Sequence, residues 1–261
     1  MLLLKFLKWF VVIMFLEPHI LVALAFIALF TGFVKAGLPS LGALVSVSLV
    51  LLFPVKDALG LAVLYLLAGD LVASFMHWRK ANLPVLIQLL PAIFFGIGLG
   101  ALTLTQVSND LLGALIGVLI VLMVGMEPFR PRVSEWAMRN IYFVRSGSGV
   151  LAGFSTTVGN AAGPILSLYF LLLKIDKYGF VGTAALFFLI VNVTKLPLYG
   201  ALGMFKTYYL WSYMVTVPFV IVGALFGRRF IEWIPQQYFN RVVLSITGLS
   251  GIWLLSSYLM G

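Results

Sequence analysis

Two breaks in an otherwise apolar chain share one design: Thr31-Gly-Phe-Val-Lys-Ala-Gly-Leu-Pro-Ser-Leu-Gly42 and Ala152-Gly-Phe-Ser-Thr-Thr-Val-Gly-Asn-Ala-Ala-Gly-Pro164. Each is a run of small, helix-breaking and polar residues inside hydrophobic sequence. In hydrocarbon an unpaired backbone group is costly, so a broken helix persists only where it is buried in protein or lines a cavity. Paired breaks in two halves of a chain are typical of the substrate site of a secondary transporter. The two stretches therefore predict an all-α membrane protein of that class.

The composition agrees with a polytopic membrane protein. Of the 261 residues, 62% are hydrophobic and 10% are charged, and the mean hydropathy is +1.13. Several apolar runs approach the roughly 20 residues that a helix needs to cross a bilayer. Residues 1–16 are predicted to span the membrane or to lie at its interface. The other candidate segments are Ile20–Thr31, Leu41–Phe53, Ala58–His77, Leu83–Leu104, Leu111–Met126, Pro164–Leu173, Gly179–Leu198, Tyr208–Phe226 and Tyr238–Tyr258.

The net charge of +9 indicates membrane orientation and no nucleic-acid partner, because the basic residues fall in short loops between apolar segments. Four arginines lie in 127–146, which is predicted to be a cytoplasmic linker between repeat 1 (18–126) and repeat 2 (147–261). Counting segments outward from this linker gives five per repeat, provided that Ile141–Gly153 is one of them. Five is an odd number, so the chain is predicted to be one transporter domain, 1–261, built from two inverted repeats.

A register of 121 residues supports this duplication, because it superimposes the two breaks. Shared leucines mean little in so apolar a chain, but shared glycine, serine and lysine are more informative. Identical pairs in this register include Gly32/Gly153, Phe33/Phe154, Gly42/Gly163, Ser46/Ser167 and Lys56/Lys177. One inserted residue brings Asp70 opposite Asn192, and a few more bring Gly96 and Gly100 opposite Gly223 and Gly227.

Four motifs lie in or near the breaks: Gly32-Phe-Val-Lys-Ala-Gly37, Phe53-Pro-Val-Lys-Asp-Ala58, Gly159-Asn-Ala-Ala-Gly-Pro164 and Asn192-Val-Thr-Lys-Leu-Pro197. Together they resemble the TauE/SafE family of membrane transporters, and the resemblance covers roughly residues 20 to 258. It implies a multi-pass protein of a bacterial cytoplasmic (inner) membrane that exports sulfite or organosulfonates. The first half departs from the family pattern, because Gly37-Leu-Pro-Ser-Leu-Gly42 replaces the common glycine cluster. The substrate therefore stays open.

The two breaks are candidate anion sites. A broken helix presents free backbone N–H groups and the positive end of its dipole, and glycine lets a ligand approach the backbone. The alternative is that the small residues only permit tight helix packing. The candidate helix-break glycines are Gly32, Gly37, Gly42, Gly153, Gly159 and Gly163. The candidate substrate-binding residues at the breaks are Lys35, Pro39, Ser40, Ser155, Thr156, Thr157 and Asn160.

Lys35 lies inside the first break, and Asp70 and Lys195 lie inside apolar segments. A charge at membrane depth is costly and therefore indicates function. Lys35 and Lys195 are predicted to bind an anionic substrate, with snorkelling to an interface as the alternative. Asp70 is the candidate for carrying a coupling proton or cation, or else a structural ion-pair partner of one lysine. Asn192, its counterpart in the repeat register, is a further candidate substrate-binding residue.

The sequence thus predicts secondary export of a small anion (sulfite, a sulfonate such as sulfoacetate, or similar) by alternating access, coupled to an ion gradient. The alternatives are a passive anion channel and a membrane scaffold or assembly protein. The expected partners are the anion, a coupling proton or cation and the lipid bilayer. No enzyme activity, metal or cofactor is expected, because no acid pair, serine–histidine pair, metal-ligand spacing or Walker motif is evident. Zero cysteines exclude disulfides.

Overall fold

The computed structural model describes residues 18–103 and 130–260. Within these residues the chain forms α-helices joined by short loops, two 3-10 turns at Pro39–Leu41 and Trp78–Lys80, and no strand. Residues 1–16 and the predicted segment Leu111–Met126 lie outside the described residues. The helices are α1 (Pro18–Gly37), α2 (Gly42–Val50), α3 (Val55–His77), α4 (Leu83–Thr103), α5 (Arg130–Arg139), α6 (Ile141–Gly159), α7 (Ala162–Leu172), α8 (Lys177–Ala201), α9 (Thr207–Thr216), α10 (Pro218–Trp233) and α11 (Gln236–Met260).

The prediction of an all-α polytopic membrane protein is confirmed. In the part of the chain that the structure describes, four helices are long and apolar enough to cross a bilayer, and they correspond to α1, α3, α4 and α8. α9 and α10 meet at an angle of 45°, and together they have the length and apolar composition of a fifth span. Pro218 begins α10 and has no N–H with which to continue the helix from α9. The predicted segment Tyr208–Phe226 therefore corresponds to this bent pair of helices.

The predicted linker range overlaps two helices. α5 occupies part of it, and α6 begins at Ile141, ahead of the predicted boundary at residue 146. The weakly apolar stretch Ile141–Gly153, on which the count of five segments per repeat depends, is helical throughout.

Both breaks contain fewer residues outside an α-helix than their sequences suggest. The first is limited to Leu38 and the 3-10 turn that follows, because α1 continues to Gly37. The second is limited to Asn160 and Ala161, and Asn160 has a left-handed backbone with φ of 56°. The helices that follow, α2 and α7, have 9 and 11 residues, too few to cross a bilayer alone. The irregular backbone is buried, as the hydrocarbon environment requires.

The assignment of Gly32 and Gly153 as helix-break glycines is wrong, because both lie inside continuous helices. A Cβ atom on Gly32 would overlap the carbonyl oxygen of Val220 in α10, and one on Gly153 would overlap that of Ile93 in α4. These two glycines let helix backbones touch, which is the packing role of small residues in membranes. The other four predicted glycines flank the breaks: Gly37, Gly42, Gly159 and Gly163.

The closest helix pairs join one predicted repeat to the other. α1 packs along α10, and α4 packs along α6. The first pair includes the contact of Gly223 with the backbone of Leu29, and the second includes the contact of Gly96 with the backbone of Val150. Gly223 and Gly96 correspond in the repeat register, so each repeat supplies one helix to each pair through equivalent contacts.

α3 and α8 run antiparallel through the centre. Gly60 near the start of α3 packs on Met204 beyond the end of α8, and Gly182 near the start of α8 packs on His77 at the end of α3. Asp70 and Asn192 are hydrogen-bonded to each other between these contacts. These two helices correspond in the repeat register, and inverted repeats place corresponding helices in opposite directions. The inversion itself stays a prediction.

Basic residues from several helices share the end of the molecule where α3 ends. Arg79 follows α3 directly, and Lys177 Nζ donates hydrogen bonds to the carbonyl oxygens of Ile231 and Ile234 in and after α10 at 2.7 and 2.6 Å. Arg228 of α10 acts electrostatically on the side chain at the end of α3. The basic residues that follow α3, begin α8 and lie in α10 therefore share one end of the molecule, as the positive-inside rule expects of one membrane face.

Candidate anion site between the two helix breaks

The two breaks lie against each other. A Cβ atom on Gly163, in the first turn of α7, would lie 2.9 Å from the carbonyl oxygens of both Pro39 and Ser40. The Asn160 side chain donates a hydrogen bond from Nδ2 to Ser46 Oγ in α2 at 2.9 Å. Segments that are about 121 residues apart in the sequence thus form one buried region.

The first charged cluster is an ion pair between α1 and α3. Lys35 Nζ lies 2.7 Å from Asp70 Oδ1, and the two side chains are 2% and 0% exposed. Asn192 of α8 donates a hydrogen bond from Nδ2 to the other carboxylate oxygen at 2.6 Å. The Phe188 ring lies under the ammonium, 3.9 Å from Nζ to the ring centroid. Lys35 therefore has its counter-charge inside the protein, and of the two roles considered for Asp70 the structure forms the ion pair.

The second charged cluster surrounds Lys195 and contains neutral acceptors. Lys195 Nζ donates hydrogen bonds to the carbonyl oxygen and hydroxyl of Thr156 at 3.1 and 3.2 Å, and to Asn160 Oδ1. Its side chain is 0% exposed. Among the residues that the structure describes, no carboxylate lies within ion-pair distance of Nζ. Lys195 thus does not snorkel to an interface: it lies buried at the second break.

The two clusters interact electrostatically, because both lysines act on the Asp70 carboxylate, and Lys35 and Asp70 both act on Lys195. In their ionised forms they carry two positive charges and one negative charge, which leaves an excess of one positive charge. Holding such an excess in a low-dielectric interior costs several kcal/mol unless a counter-charge is present. A small anion at the second cluster would supply that counter-charge.

The predicted hydroxyl residues separate into two groups. Thr157 Oγ1 and Ser155 Oγ donate to carbonyl oxygens of their own helix, those of Gly153 at 2.8 Å and Ala152 at 3.3 Å. Such local bonds are the usual behaviour of serine and threonine inside helices. Ser40 Oγ, in contrast, is buried and has no hydrogen-bond partner within the described part of the chain.

Two residues join the site that the sequence did not single out as site residues. Ser46 accepts the hydrogen bond from Asn160, and the Tyr199 hydroxyl donates to the carbonyl oxygen of Thr157 at 3.1 Å. The sequence did contain one indication of Ser46, because it is identical to Ser167 in the repeat register. Tyr199 carries no comparable signal, because a tyrosine near a helix end is also typical of a membrane interface.

No group of three or more histidine, cysteine, aspartate or glutamate side chains that could hold a metal ion occurs in residues 18–103 and 130–260.

Membrane-spanning helices, two facing helix breaks and buried lysines beside them together define a multi-pass membrane transporter. The chain matches the family model of the sulfite exporter TauE/SafE over residues 24–254, and it belongs to this family. The resemblance inferred from the break motifs is thereby confirmed. No curated protein and no solved structure matches the chain.

Proposed function

We propose that this protein exports a small oxyanion, sulfite or a sulfonate such as sulfoacetate, and that the anion binds beside Lys195. The observation that carries the proposal is the buried Lys195 side chain, whose bonded partners among the described residues are all neutral. Membership of a family of sulfite exporters agrees with an anionic substrate of this size.

Two further groups, which lie at the contact between the two breaks, suit an oxyanion. The N-terminus of α7 presents the positive end of a helix dipole, and Ala161 does not cap it with a side-chain hydrogen bond. The Ser40 hydroxyl lies at the contact between the breaks without a partner in the described chain. A sulfur oxyanion has three oxygens, so an ammonium, backbone N–H groups and a hydroxyl can each bind one.

Access to this site requires movement of the first break. The backbone of Pro39 and Ser40 packs directly on Gly163 at the start of α7. We infer that the 3-10 turn Pro39–Leu41 withdraws from α7 when the anion enters. Since α1 is locked to α10 and α4 to α6 by backbone contacts at glycine, these cross-repeat pairs are the bodies that would rock in alternating access.

Asp70 is the proposed coupling residue. Protonation of its carboxylate, or a cation bound there, would remove the charge that holds Lys35. Lys35 would then be available to the anion, which links the ion gradient to substrate binding. The basic end of the molecule is proposed to face the cytoplasm of the inner membrane.

The test is transport by the purified protein in liposomes loaded with ³⁵S-sulfite or labelled sulfoacetate. Wild-type protein should release one of these anions faster than empty liposomes do, and Lys195→Met should abolish that release. Lys80→Met, which removes an exposed lysine, is the matched control and should transport normally. Equal transport by Lys195→Met and wild type would contradict the proposed site.

Ligand-dependent stability separates transport from the scaffold alternative. An anion that binds the folded protein at 100 times its Kd adds about 2.7 kcal/mol to the unfolding free energy. A scaffold would show no such gain with any anion. A passive channel would bind and conduct the anion but would never concentrate it against a gradient.

A further inference from the structure

One face of α3 carries a row of buried polar side chains. Asp70, Ser74 and His77 follow one another at spacings of four and three residues, which places them on the same side of the helix. They are 0%, 6% and 5% exposed, respectively. The row rises about 10 Å along the helix axis, from the Lys35–Asp70 ion pair to the basic end of the molecule.

The Ser74 hydroxyl and one ring nitrogen of His77 lack hydrogen-bond partners in the described chain. Ser74 Oγ and His77 Nε2 are buried, and neither has a partner within residues 18–103 and 130–260. Buried polar atoms are nearly always satisfied by protein or by ordered water. Two such atoms on one helix face, one turn apart, are suited to holding water between them.

The row ends where α3 ends, next to exposed Trp78, Arg79 and Lys80. The imidazole of His77 hydrogen-bonds to the backbone of Ala36 in α1, and Arg228 and Glu232 of α10 act on it electrostatically. From α8, Gly182 contacts the backbone of His77 and presents no side chain to it.

At the inner end of the row, Asp70 is faced by charged or polar groups from two helices. Lys35 comes from α1, and Asn192 and Lys195 come from α8. The row therefore connects one titratable carboxylate to one titratable imidazole, with a hydroxyl between them.

The second half of the molecule repeats the packing of this row but not its chemistry. In α8, 122 residues further on, the corresponding residues are Asn192, Leu196 and Tyr199. Tyr199 donates its hydroxyl to the backbone of Thr157, 121 residues after Ala36, just as His77 bonds to Ala36. An amide and a hydrocarbon cannot pass a proton, so the fold itself does not require the row in α3.

We propose that Ser74 and His77 form a proton path between the basic end of the molecule and Asp70. The proposal rests on the proposed function in taking Asp70 as the coupling residue. His77 accepts a proton at Nε2 from the bulk, and its neutral form is restored when a proton passes through water and the Ser74 hydroxyl to the Asp70 carboxylate. The protonated carboxyl no longer attracts the Lys35 ammonium.

The path is tested by time-resolved infrared spectroscopy of purified protein in lipid nanodiscs after a rapid drop in pH. The protonated carboxyl band of Asp70 is identified by its loss in Asp70→Asn. Ser74→Ala and His77→Gln should each slow the appearance of this band by about tenfold or more, as expected when an acid–base relay is removed. The final size of the band should remain close to that of wild type, because the path sets the rate of protonation.

Two further variants separate a proton path from a general structural effect. Ser74→Thr keeps a hydroxyl and should keep the wild-type rate. Ser212→Ala removes another buried hydroxyl that has no partner in the described chain, in α9 and away from the row, and should also leave the rate unchanged. A rate that is equally slow in Ser212→Ala, or unchanged in both Ser74→Ala and His77→Gln, would overturn the path.

The infrared measurement needs no anion, so it distinguishes this proposal from the proposed function. Slowed protonation in Ser74→Ala supports the path even in a protein that releases neither sulfite nor sulfoacetate. Lysine-dependent sulfite release together with normal protonation in Ser74→Ala and His77→Gln refutes the path and leaves the proposed function intact.

Discussion

The two buried lysines differ in how their charge is balanced. Lys35 lies 2.7 Å from the Asp70 carboxylate and 3.9 Å from the centre of the Phe188 ring. Lys195 is equally buried, but its partners in the described chain are a hydroxyl, a carbonyl oxygen and an amide oxygen. The charge of Lys35 is therefore balanced by a carboxylate of the protein. The partners of Lys195 carry no charge, so an anion from outside can provide its counter-ion.

The largest expected effect comes from breaking the internal pair. Lys35→Met leaves the Asp70 carboxylate buried without its counter-charge, which should lower the unfolding free energy by about 3–5 kcal/mol. Lys195→Met removes a charge that has no bonded counter-ion and should leave stability equal to or above that of wild type. Unfolding in mixed detergent micelles measures both, and equal losses in the two variants would contradict the comparison.

A double variant sharpens the same comparison. Lys35→Met combined with Asp70→Asn removes both charges of the pair and should recover much of the stability lost in Lys35→Met, because neither charge is then left unpaired. Asp70→Asn alone provides the control for loss of the Asn192 hydrogen bond to a carboxylate. If the double variant were as unstable as Lys35→Met, the unpaired Asp70 carboxylate would not be the cause of the stability loss in Lys35→Met.

The sequence located both lysines and both breaks, because a charge, a glycine or a proline inside an apolar run is a local signal. It left open which lysine pairs with Asp70, since the answer depends on how α1, α3 and α8 pack. Lys35 and Asp70 are 35 residues apart in the sequence, and Lys195 was an equally plausible partner. Local signals also assigned Gly32 to a break, whereas its contact with α10 comes from tertiary packing.

The second expected effect comes from a variant that gives Lys195 a carboxylate partner, as Lys35 already has in Asp70. Asn160→Asp has nearly the same shape and places a carboxylate where the amide oxygen now accepts from Lys195. The internal carboxylate should compete with the substrate and weaken anion binding by about 100-fold, or about 2.7 kcal/mol. The measurement is anion-dependent stabilisation, with sulfite and sulfoacetate as probes.

The control for this variant is Asn160→Gly. Glycine adopts the left-handed backbone of Asn160 without strain, so the break is kept while the amide is lost. We expect this variant to retain part of its anion binding, because Lys195 stays uncompensated. Anion binding of wild-type strength in Asn160→Asp would show that Lys195 does not hold the substrate.

The third effect concerns the close contacts between helix backbones at Gly32 and Gly153, which are equivalent in the two halves. Gly32→Ala and Gly153→Ala each introduce a Cβ atom against a backbone carbonyl, that of Val220 or Ile93. Overpacking of this kind costs about 1–3 kcal/mol, and we expect similar losses at the two sites. Gly98→Ala in α4, where a Cβ atom would meet nothing within 4 Å, should show no loss. Detergent unfolding measures all three, and a loss at only one of the two packed glycines would contradict the equivalence of the helix pairs.

The smallest effect concerns the hydrogen bond from a side chain near the end of α3 or α8 to the backbone of a broken helix. His77 makes this bond to Ala36 in the first half, and Tyr199 makes it to Thr157 in the second. Tyr199→Phe removes the hydroxyl that donates to the Thr157 carbonyl oxygen at 3.1 Å. This oxygen lies in the last turn of α6, where carbonyl groups have no partner within the helix. One neutral hydrogen bond contributes about 1 kcal/mol net, so the loss in unfolding free energy should be of that size. Tyr142→Phe, which alters an exposed tyrosine of α6, is the control and should leave the unfolding free energy unchanged. A loss as large as that of Gly153→Ala would show that the Tyr199 hydroxyl supports the whole second break, in which case anion binding should fall in the same variant.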